Sequence, residues 1–293
     1  MSDAPILVTA PAGNVGKEVV RALRRHGLPV RAAVHRAGTA HVPDGVEQVH
    51  FDFEDPATYA PALAGVRGLF LLRPTQITRV SGTLIPVVAA AQRAGVRQCV
   101  FLSVDGAEKQ PWLPHRKVEK ALEASSLTWT FLRPNHFMQN LLGPYREAIR
   151  SGSLALPAGR GRVSFVDCAD LGDVTALAFT DPSAHAGRAY HLTGPEAVSF
   201  GEVAAALSNA TGRRITYEPI GPLRYFRELR GHGAPFAYAA ILTGLHLGVR
   251  RGSAGRVDPT LGELLDRPPD TVAAFIAAHA REFAAPDGSP AQR

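Results

Sequence analysis

Short apolar runs alternate with amphipathic stretches along the first half of the chain. Nearly continuous apolar runs predict strands that are buried on both faces, and the amphipathic stretches between them predict helices. Strands are predicted from Ile6 onward and over residues 30–34, 46–51, 66–72, 98–102 and 128–132. One strand and one helix recur at intervals of about 25 to 30 residues, which is typical of a doubly wound, Rossmann-type parallel sheet.

Beyond residue 150 this alternation loosens. Shorter strands are predicted over 163–166, 189–192 and 215–217, and helices over 170–179, 222–230, 235–247 and 271–283. Ser199 and Glu202 form a capping-box pattern that predicts a helix reaching about residue 209. We therefore expect a Rossmann domain over residues 1–150, a smaller α/β region over 151–284 that is interleaved with the sheet, and a disordered tail over 285–293.

The composition is that of a globular protein, because 45% of the 293 residues are hydrophobic. No basic segment precedes the first apolar run, and Pro11 interrupts that run. The longest apolar segment, residues 234–247, is shorter than the roughly 20 residues that cross a bilayer. We expect a cytoplasmic protein without membrane contact, in which Cys99 and Cys168 are buried thiols.

The net charge of +6 raises the question of a nucleic-acid partner. The basic residues occur as scattered pairs without interleaved aromatic residues, for example at 24–25, 213–214 and 250–251. This distribution argues against nucleic-acid binding, although a mildly positive field favours an anionic cofactor or substrate. His115, His136 and His191 lack the spacing of a three-ligand metal site, so no metal is expected.

A turn rich in small residues follows the first strand. Gly13 and Gly16 allow the backbone to approach a pyrophosphate, which the free N–H groups of the next helix would bind. Ala10 replaces the first glycine of the usual spacing, and Pro11 removes one N–H donor. The turn therefore predicts a dinucleotide site with two of its three glycines.

The second strand ends in His35 and Arg36, where NAD-binding domains carry an acidic residue. A guanidinium binds the 2′-phosphate that a carboxylate would repel, so NADPH is favoured over NADH as cofactor. Asp52 ends the third strand, where it would meet an adenine amino group or cap the helix that begins at residue 56.

Three further polar residues are candidates for chemistry. Ser103 follows the fifth strand and so lies at the carboxyl edge, where open α/β sheets bind ligands. His115 and Glu119 are four residues apart on a predicted helix, so they share one face.

With these features, the chain resembles the NmrA-like group of atypical short-chain dehydrogenases, in its quinone-oxidoreductase-like branch. The matching stretches are ILVTAPAGNVGKEV, VEQVHFDFEDP, HRKVEKALEASSLTWTFLRPNHFMQNLL, GRVSFVDCADLGDV and RAYHLTGPEAVSFGEVAAALS. The resemblance implies a Rossmann domain that binds NADPH, and a smaller C-terminal region that binds substrate.

The resemblance also implies which residues contact the cofactor. Those near the pyrophosphate are Thr9, Ala10, Gly13, Asn14, Val15 and Gly16. Those near the adenosine and its 2′-phosphate are His35, Arg36, Asp52 and Phe53. Those near the ribose and nicotinamide are Leu72, Arg73, Ser103, Pro134, Asn135, His136 and Phe137.

One departure from typical short-chain dehydrogenases concerns catalysis. Their Tyr-x-x-x-Lys pair is absent, and His115 and Glu119 stand at the equivalent place. His115 would then protonate the substrate or position the nicotinamide or substrate, with Ser103 and Glu119 as further catalytic candidates.

The function expected from the resemblance is NADPH-dependent hydride transfer to an apolar or aromatic carbonyl or quinone-like small molecule. One alternative is an NmrA-like regulatory protein that senses dinucleotides without turnover. Another is a non-redox isomerase or cyclase on the same scaffold. The sequence leaves open whether the chain forms a homodimer.

Overall fold

The chain folds into two compact units in the computed structural model, which describes residues 4–35, 42–77 and 79–284. The first unit combines the described residues up to Pro134 with Cys168–Leu192 and Glu263–Leu265. The second combines Asn135–Asp167, Thr193–Gly262 and the described residues from Asp266 onward. The chain thus enters the second unit before residue 150, where the sequence pattern placed the boundary.

The strands and helices follow the predicted alternation closely in the first unit. The strands are β1 (Ile6–Thr9), β2 (Val30–Val34), β3 (Glu47–His50), β4 (Gly68–Leu72), β5 (Gln98–Leu102), β6 (Thr128–Pro134), β7 (Ser153–Leu156), β8 (Arg162–Val163), β9 (Arg188–Leu192), β10 (Val198–Ser199) and β11 (Thr216–Pro219). The helices are α1 (Asn14–Arg25), α2 (Tyr59–Leu63), α3 (Leu84–Arg93), α4 (Pro114–Glu123), α5 (Arg146–Ser151), α6 (Cys168–Thr180), α7 (Pro182–His185), α8 (Phe200–Thr211), α9 (Pro222–Gly231), α10 (Phe236–Arg250), α11 (Thr260–Leu265) and α12 (Val272–Ala278).

The first unit contains a seven-stranded parallel sheet in the order β3-β2-β1-β4-β5-β6-β9. The predicted Rossmann-type fold is confirmed. β1 lies between β2 and β4, with Ile6 opposite both Val30 and Gly68. Because every strand runs in the same direction, all carboxyl ends meet at one edge, and the loops that follow them can build one site.

Close packing on both faces fixes this sheet. α1 packs against α6, and a Cβ added to Gly172 would lie 2.6 Å from the carbonyl oxygen of Glu18. On the sheet itself, a Cβ on Gly68 would lie 2.7 Å from the ring of Phe179. Buried aliphatic and aromatic side chains fill the core of the unit, among them Leu7, Leu69, Leu71, Cys99, Phe101 and Phe131. These contacts hold the strand ends rigidly, which a site at the carboxyl edge requires.

The second unit has two small sheets, with β7 parallel to β11 and β8 antiparallel to β10. The predicted capping box is confirmed: the Ser199 hydroxyl accepts a hydrogen bond from the Glu202 N–H, and the Glu202 carboxylate accepts one from the Ser199 N–H. α8 packs with α12 around a separate core that includes Met138, Leu154, Phe165, Phe200, Leu207 and Phe275.

Differences from the predicted elements are concentrated in the second unit. After Phe137 the chain forms no continuous helix, since a 3₁₀ turn spans Met138–Leu141 and α5 begins only at Arg146. Pro144 explains the break, because it disfavours helical geometry at Gly143. The strand predicted over 163–166 shortens to β8, since Val166 pairs instead with Phe137.

Two other expectations concern the environment of the chain. Cys99 and Cys168 are both buried thiols, as predicted. Across the described ranges, no helix combines the length and apolar character that crossing a bilayer demands. The predicted tail over 285–293 lies outside the described residues.

Candidate functional site

The turn after β1 brings the backbone into unusually close contact. Ala10 adopts the left-handed conformation, with φ of +50°, and its carbonyl oxygen accepts the N–H of Gly13 at 3.0 Å. A Cβ added to Gly16 would lie only 2.0 Å from the same oxygen. Glycine is therefore required at Gly16, whereas Ala10 occupies a conformation that a glycine would adopt without strain.

The turn leaves the start of α1 open to a ligand. Gly13 is its N-cap in extended conformation, no side chain caps the helix, and its first turn carries no acidic residue. Asn14 is exposed, whereas Val15 is only 2% exposed and can offer a ligand only its backbone. Free N–H groups and the positive end of the helix dipole together form a binding site for a phosphate group.

Thr9, which the resemblance placed near the pyrophosphate, has an internal role. Its side chain is fully buried, donates a hydrogen bond to the Phe70 carbonyl at 3.1 Å and accepts one from the Leu72 N–H at 2.9 Å. Thr9 thus joins β1 to β4 and fixes the backbone of Leu72 at the carboxyl edge.

The ends of β2 and β3 meet at the predicted adenosine side. His35 is exposed, and its Nδ1 lies 3.4 Å from a carboxylate oxygen of Asp52. Asp52 accepts the N–H of Glu54 at 2.8 Å and does not cap the 3₁₀ turn at residue 56, which Asp55 caps instead. The side chain of Phe53 is buried in the core of the unit.

A ligand at this end would therefore meet the backbone of Phe53, not its ring. Arg36, the predicted contact of the 2′-phosphate, lies outside the described residues.

Arg73 and His115 form a pair beyond the end of β4. Arg73 Nε donates to His115 Nε2 at 3.2 Å, and Arg73 Nη1 donates to the Ile77 carbonyl at 2.5 Å. Because Nε2 accepts this bond, the proton of the neutral imidazole is on Nδ1. Burial and the positive charge of Arg73 lower the pKa of His115 to about 3. The imidazole is therefore neutral near pH 7, where it can orient a ligand but holds no second proton to give.

Ser103 and Glu119 belong to a buried polar cluster. Glu119 is 0% exposed and accepts four hydrogen bonds: from Ser103 Oγ at 2.6 Å, from Arg133 Nε at 2.9 Å and Nη2 at 3.0 Å, and from Arg116 Nη1 at 3.0 Å. Burial alone would raise the pKa of Glu119, but the bonds from Arg133 and Ser103 outweigh it and hold the pKa below its usual value.

This arrangement changes the interpretation of two predicted catalytic residues. Glu119 shares a helix face with His115, but its carboxylate is fully engaged and has no contact left for a substrate. Ser103 donates its hydroxyl proton inward, to Glu119. Both side chains link α4 to the ends of β5 and β6 at the carboxyl edge.

A histidine–carboxylate pair at the same edge was missed. His191, near the end of β9, lies with its Nδ1 2.6 Å from an oxygen of Asp105, which follows β5. His191 is also opposite Arg133 in the sheet register. In the sequence these residues are 86 positions apart, so only the strand order brings them together.

The last predicted contacts follow β6, where Pro134 is its final residue. Asn135 donates to Ser164 Oγ at 2.7 Å and to the Ala254 carbonyl at 2.9 Å, so its side chain is engaged within the second unit. Phe137 forms a parallel bridge with Val166. Burial lowers the pKa of His136 to about 4.

The second unit also contains a buried tyrosine–histidine pair that was not predicted. His246 Nδ1 donates to the Leu242 carbonyl, so its Nε2 accepts the Tyr145 hydroxyl at 2.9 Å. Burial raises the pKa of Tyr145 and lowers that of His246. This pair is a neutral structural contact of the core.

Comparison with known proteins places these features in context. The model of the NmrA-like family matches residues 2–267. An NAD(P)H azoreductase of Xenophilus azovorans is 35% identical, over 96% of this chain and 99% of its own. A (4-alkanoyl-5-oxo-2,5-dihydrofuran-3-yl)methyl phosphate reductase of Streptomyces griseus is also 35% identical, over 95% of this chain and 99% of its own. Among solved structures, an NADPH-dependent quinone oxidoreductase of Escherichia coli in complex with NADPH superimposes with a TM-score of 0.83, at 26% identity, over 93% of this chain and 99% of that one.

Proposed function

Because the chain belongs to the NmrA-like family, we propose that it is an NAD(P)H-dependent oxidoreductase, with NADPH as cofactor and an apolar or aromatic quinone-like or carbonyl compound as acceptor. The observation that carries this proposal is the open N-terminus of α1 behind the close turn at Ala10, Gly13 and Gly16. The reductase relatives support the reaction class, and the quinone oxidoreductase supports the choice of NADPH and quinone.

In this proposal the first unit holds the cofactor along the carboxyl edge. The N–H groups of Asn14, Val15 and Gly16 bind the pyrophosphate, and the ends of β2 and β3 bind the adenosine. Arg36 supplies the preference for a 2′-phosphate. Leu72 and Arg73 extend the site toward α4, where the neutral His115 orients the nicotinamide or the acceptor. When bound, the reduced nicotinamide supplies the hydride.

The predicted catalytic side chains offer no proton near pH 7, which favours an acceptor that needs no protein acid. His115 is neutral near pH 7, and Glu119 is fully hydrogen bonded. Hydride transfer to a quinone forms a phenolate-type oxyanion, which is much less basic than an alkoxide and takes its proton from water, so no protein acid is needed. The second unit, proposed as the substrate region, exposes apolar side chains on α9 and α10, including Leu223, Phe236, Ile241 and Leu245.

The cofactor site is tested by Asn14→Asp, with Asn14→Ser as the matched control. A carboxylate at the start of α1 favours the helix dipole, so the variant folds normally, but it repels a pyrophosphate. We expect the dissociation constant for NADPH, measured by calorimetry, to rise about ten-fold in Asn14→Asp. Asn14→Ser adds no charge and should stay near wild type. Equal affinity in all three proteins would refute the site.

Two further measurements separate cofactor preference from acceptor class. NADPH should bind more tightly than NADH, and Arg36→Ala should remove that difference. Oxidation of NADPH is then followed with quinones, aryl ketones and azo compounds. Tight cofactor binding without turnover of any acceptor would favour a dinucleotide-sensing regulator, and product formation without NADPH oxidation would favour a non-redox enzyme.

A further inference from the structure

Four arginines surround one surface depression of about 500 Å³ in the second unit. Arg160 lies in the turn between β7 and β8, Arg162 is the first residue of β8, and Arg250 and Arg251 come from the end of α10. In the sequence, Arg250 and Arg251 form one of several scattered basic pairs. The fold brings this pair together with Arg160 and Arg162, about 90 positions earlier in the chain.

The two segments that carry these arginines are fixed against each other. A Cβ added to Gly161 would lie 2.1 Å from the Val249 carbonyl oxygen, so the turn backbone touches the end of α10 directly. Beyond the helix, the N–H of Gly252 bonds the Val249 carbonyl at 2.9 Å and that of Ser253 bonds the Gly248 carbonyl at 3.0 Å. The backbone that carries the four arginines is therefore preformed, so binding a ligand would require ordering of the arginine side chains but not of the two segments.

Most of the positive charge at the depression is uncompensated. Arg162 donates to the Ala197 carbonyl and to Glu202 Oε1, at 3.1 Å for the latter. Arg160, Arg250 and Arg251 are exposed, and none of them is paired with an acidic residue within the described ranges. The negative end of the α10 dipole favours basic residues and so explains why Arg250 and Arg251 stand there. Arg160 and Arg162 are not on a helix, so no helix dipole explains their presence.

We propose that this depression binds a phosphorylated small molecule. One guanidinium group can donate two parallel hydrogen bonds to two oxygens of a phosphate. Several guanidinium groups around one depression therefore favour an anion with more than one negative charge. A volume of about 500 Å³ lies within the range of small-ligand pockets and exceeds what one phosphate group fills. No aromatic side chain of the described residues lines the depression, so it lacks the stacking surface typical of single-stranded nucleic-acid sites. The site stands on the second unit alone and does not depend on the proposed reductase function.

The test is calorimetric titration of the full chain with inorganic pyrophosphate. The variant Arg250→Gln/Arg251→Gln should weaken binding at least ten-fold. The matched control is Arg24→Gln/Arg93→Gln, which removes two exposed arginines from the last turns of α1 and α3 and should bind as wild type does. Arg160→Gln, in the turn, repeats the test if the double variant does not fold. Asn14→Asp should leave this binding event in place, because it alters only the start of α1.

Several results would overturn the proposal. These are no binding to wild type, unchanged binding in Arg250→Gln/Arg251→Gln, or equal weakening in the control pair, which would mean that diffuse charge attracts the anion. Loss in Asn14→Asp alone would assign the binding to the start of α1. If single-stranded DNA bound through the same arginines with much higher affinity than pyrophosphate, the ligand of the depression would be a nucleic acid and not a small molecule.

Discussion

Glu119→Gln distinguishes a supporting role from a catalytic one at the buried carboxylate. The substitution keeps the shape of the side chain but replaces one acceptor oxygen by an NH₂ donor. Each carboxylate oxygen of Glu119 accepts two hydrogen bonds, from donors on Ser103, Arg116 and Arg133. Replacing either oxygen by NH₂ therefore leaves two donors without their acceptor. Arg133 also loses its buried counter-charge, although Glu108 remains 3.3 Å from its Nη1.

The magnitude follows from the burial of the pair. Removing one partner of a buried ion pair costs about 3 to 5 kcal/mol. Because Glu108 still offsets part of the charge on Arg133, we expect the lower end, about 3 kcal/mol. For 293 residues, the unfolding entropy of about 2.1 cal/mol/K per residue gives about 0.6 kcal/mol/K in all, so the expected fall in Tm is about 5 °C.

The matched control is Glu123→Gln, one turn further along α4. Glu123 also accepts a bond from Arg116, at 2.7 Å, but it is exposed. An exposed pair contributes at most about 1 kcal/mol, so this variant should unfold within about 2 °C of wild type. Thermal and denaturant unfolding near pH 7 measure both variants.

The pH dependence provides an independent check. The folded pKa of Glu119 lies below its ordinary value of 4.5, so its ionised form stabilises the fold above that pH. This stabilisation is lost as the pH falls through the lower, folded pKa. The stability difference between wild type and Glu119→Gln should therefore shrink below about pH 4.5. Unchanged unfolding of Glu119→Gln together with a large fall in kcat would refute the supporting role.

Two further predictions concern the turn and His115. Ala10→Gly relieves the left-handed strain and should tighten NADPH binding without loss of stability. In Gly16→Ala the new Cβ would lie 2.0 Å from the Ala10 carbonyl oxygen, so NADPH binding should weaken at least ten-fold. If calorimetry gave the reverse order of affinities, this account of the turn would be wrong. His115→Asn should leave the pH profile of kcat near neutrality unchanged, because the pKa of His115 is about 3. The unfolded chain protonates His115 below about pH 6.5 while the folded chain does not, so wild type should lose stability relative to the variant as the pH falls from 6.5 toward 3. An acidic limb of kcat near pH 6.5 that disappears in His115→Asn would refute the neutral imidazole.

The sheet could be predicted because each of its strands carries a local signal. Residues 30–34 and 98–102 are short apolar runs whose predicted bounds match β2 and β5. The second unit depends on contacts that no local pattern reveals. β7, for example, is a four-residue strand that pairs with β11 some 60 positions later, and its sequence alone has little to distinguish it from a loop.

The same limit explains which contacts at the site the sequence could not predict. Helical spacing correctly placed His115 and Glu119 on one face, but it could not show that Arg133 on β6 reaches Glu119 from the neighbouring strand. Nor could spacing show that Arg73 fixes the tautomer of His115. The charge pattern likewise showed the pair Arg250 and Arg251, but it could not show that Arg160 and Arg162 lie beside them. Such contacts depend on strand register and loop paths, which are set by the packing of the whole unit.

The arrangement in the first unit favours positioning over proton transfer, and this bears on the missing Tyr-x-x-x-Lys pair. That pair serves reductions in which an alkoxide must be protonated as it forms. Here the equivalent helix position holds a neutral His115 bonded to Arg73, and the next turn holds Glu119 bonded into the sheet edge. Rigid side chains of this kind can align two planar partners, which by itself lowers a barrier substantially. A chain that offers alignment in place of an acid suits acceptors whose reduction forms a weakly basic oxyanion, and quinones meet that condition better than simple ketones do.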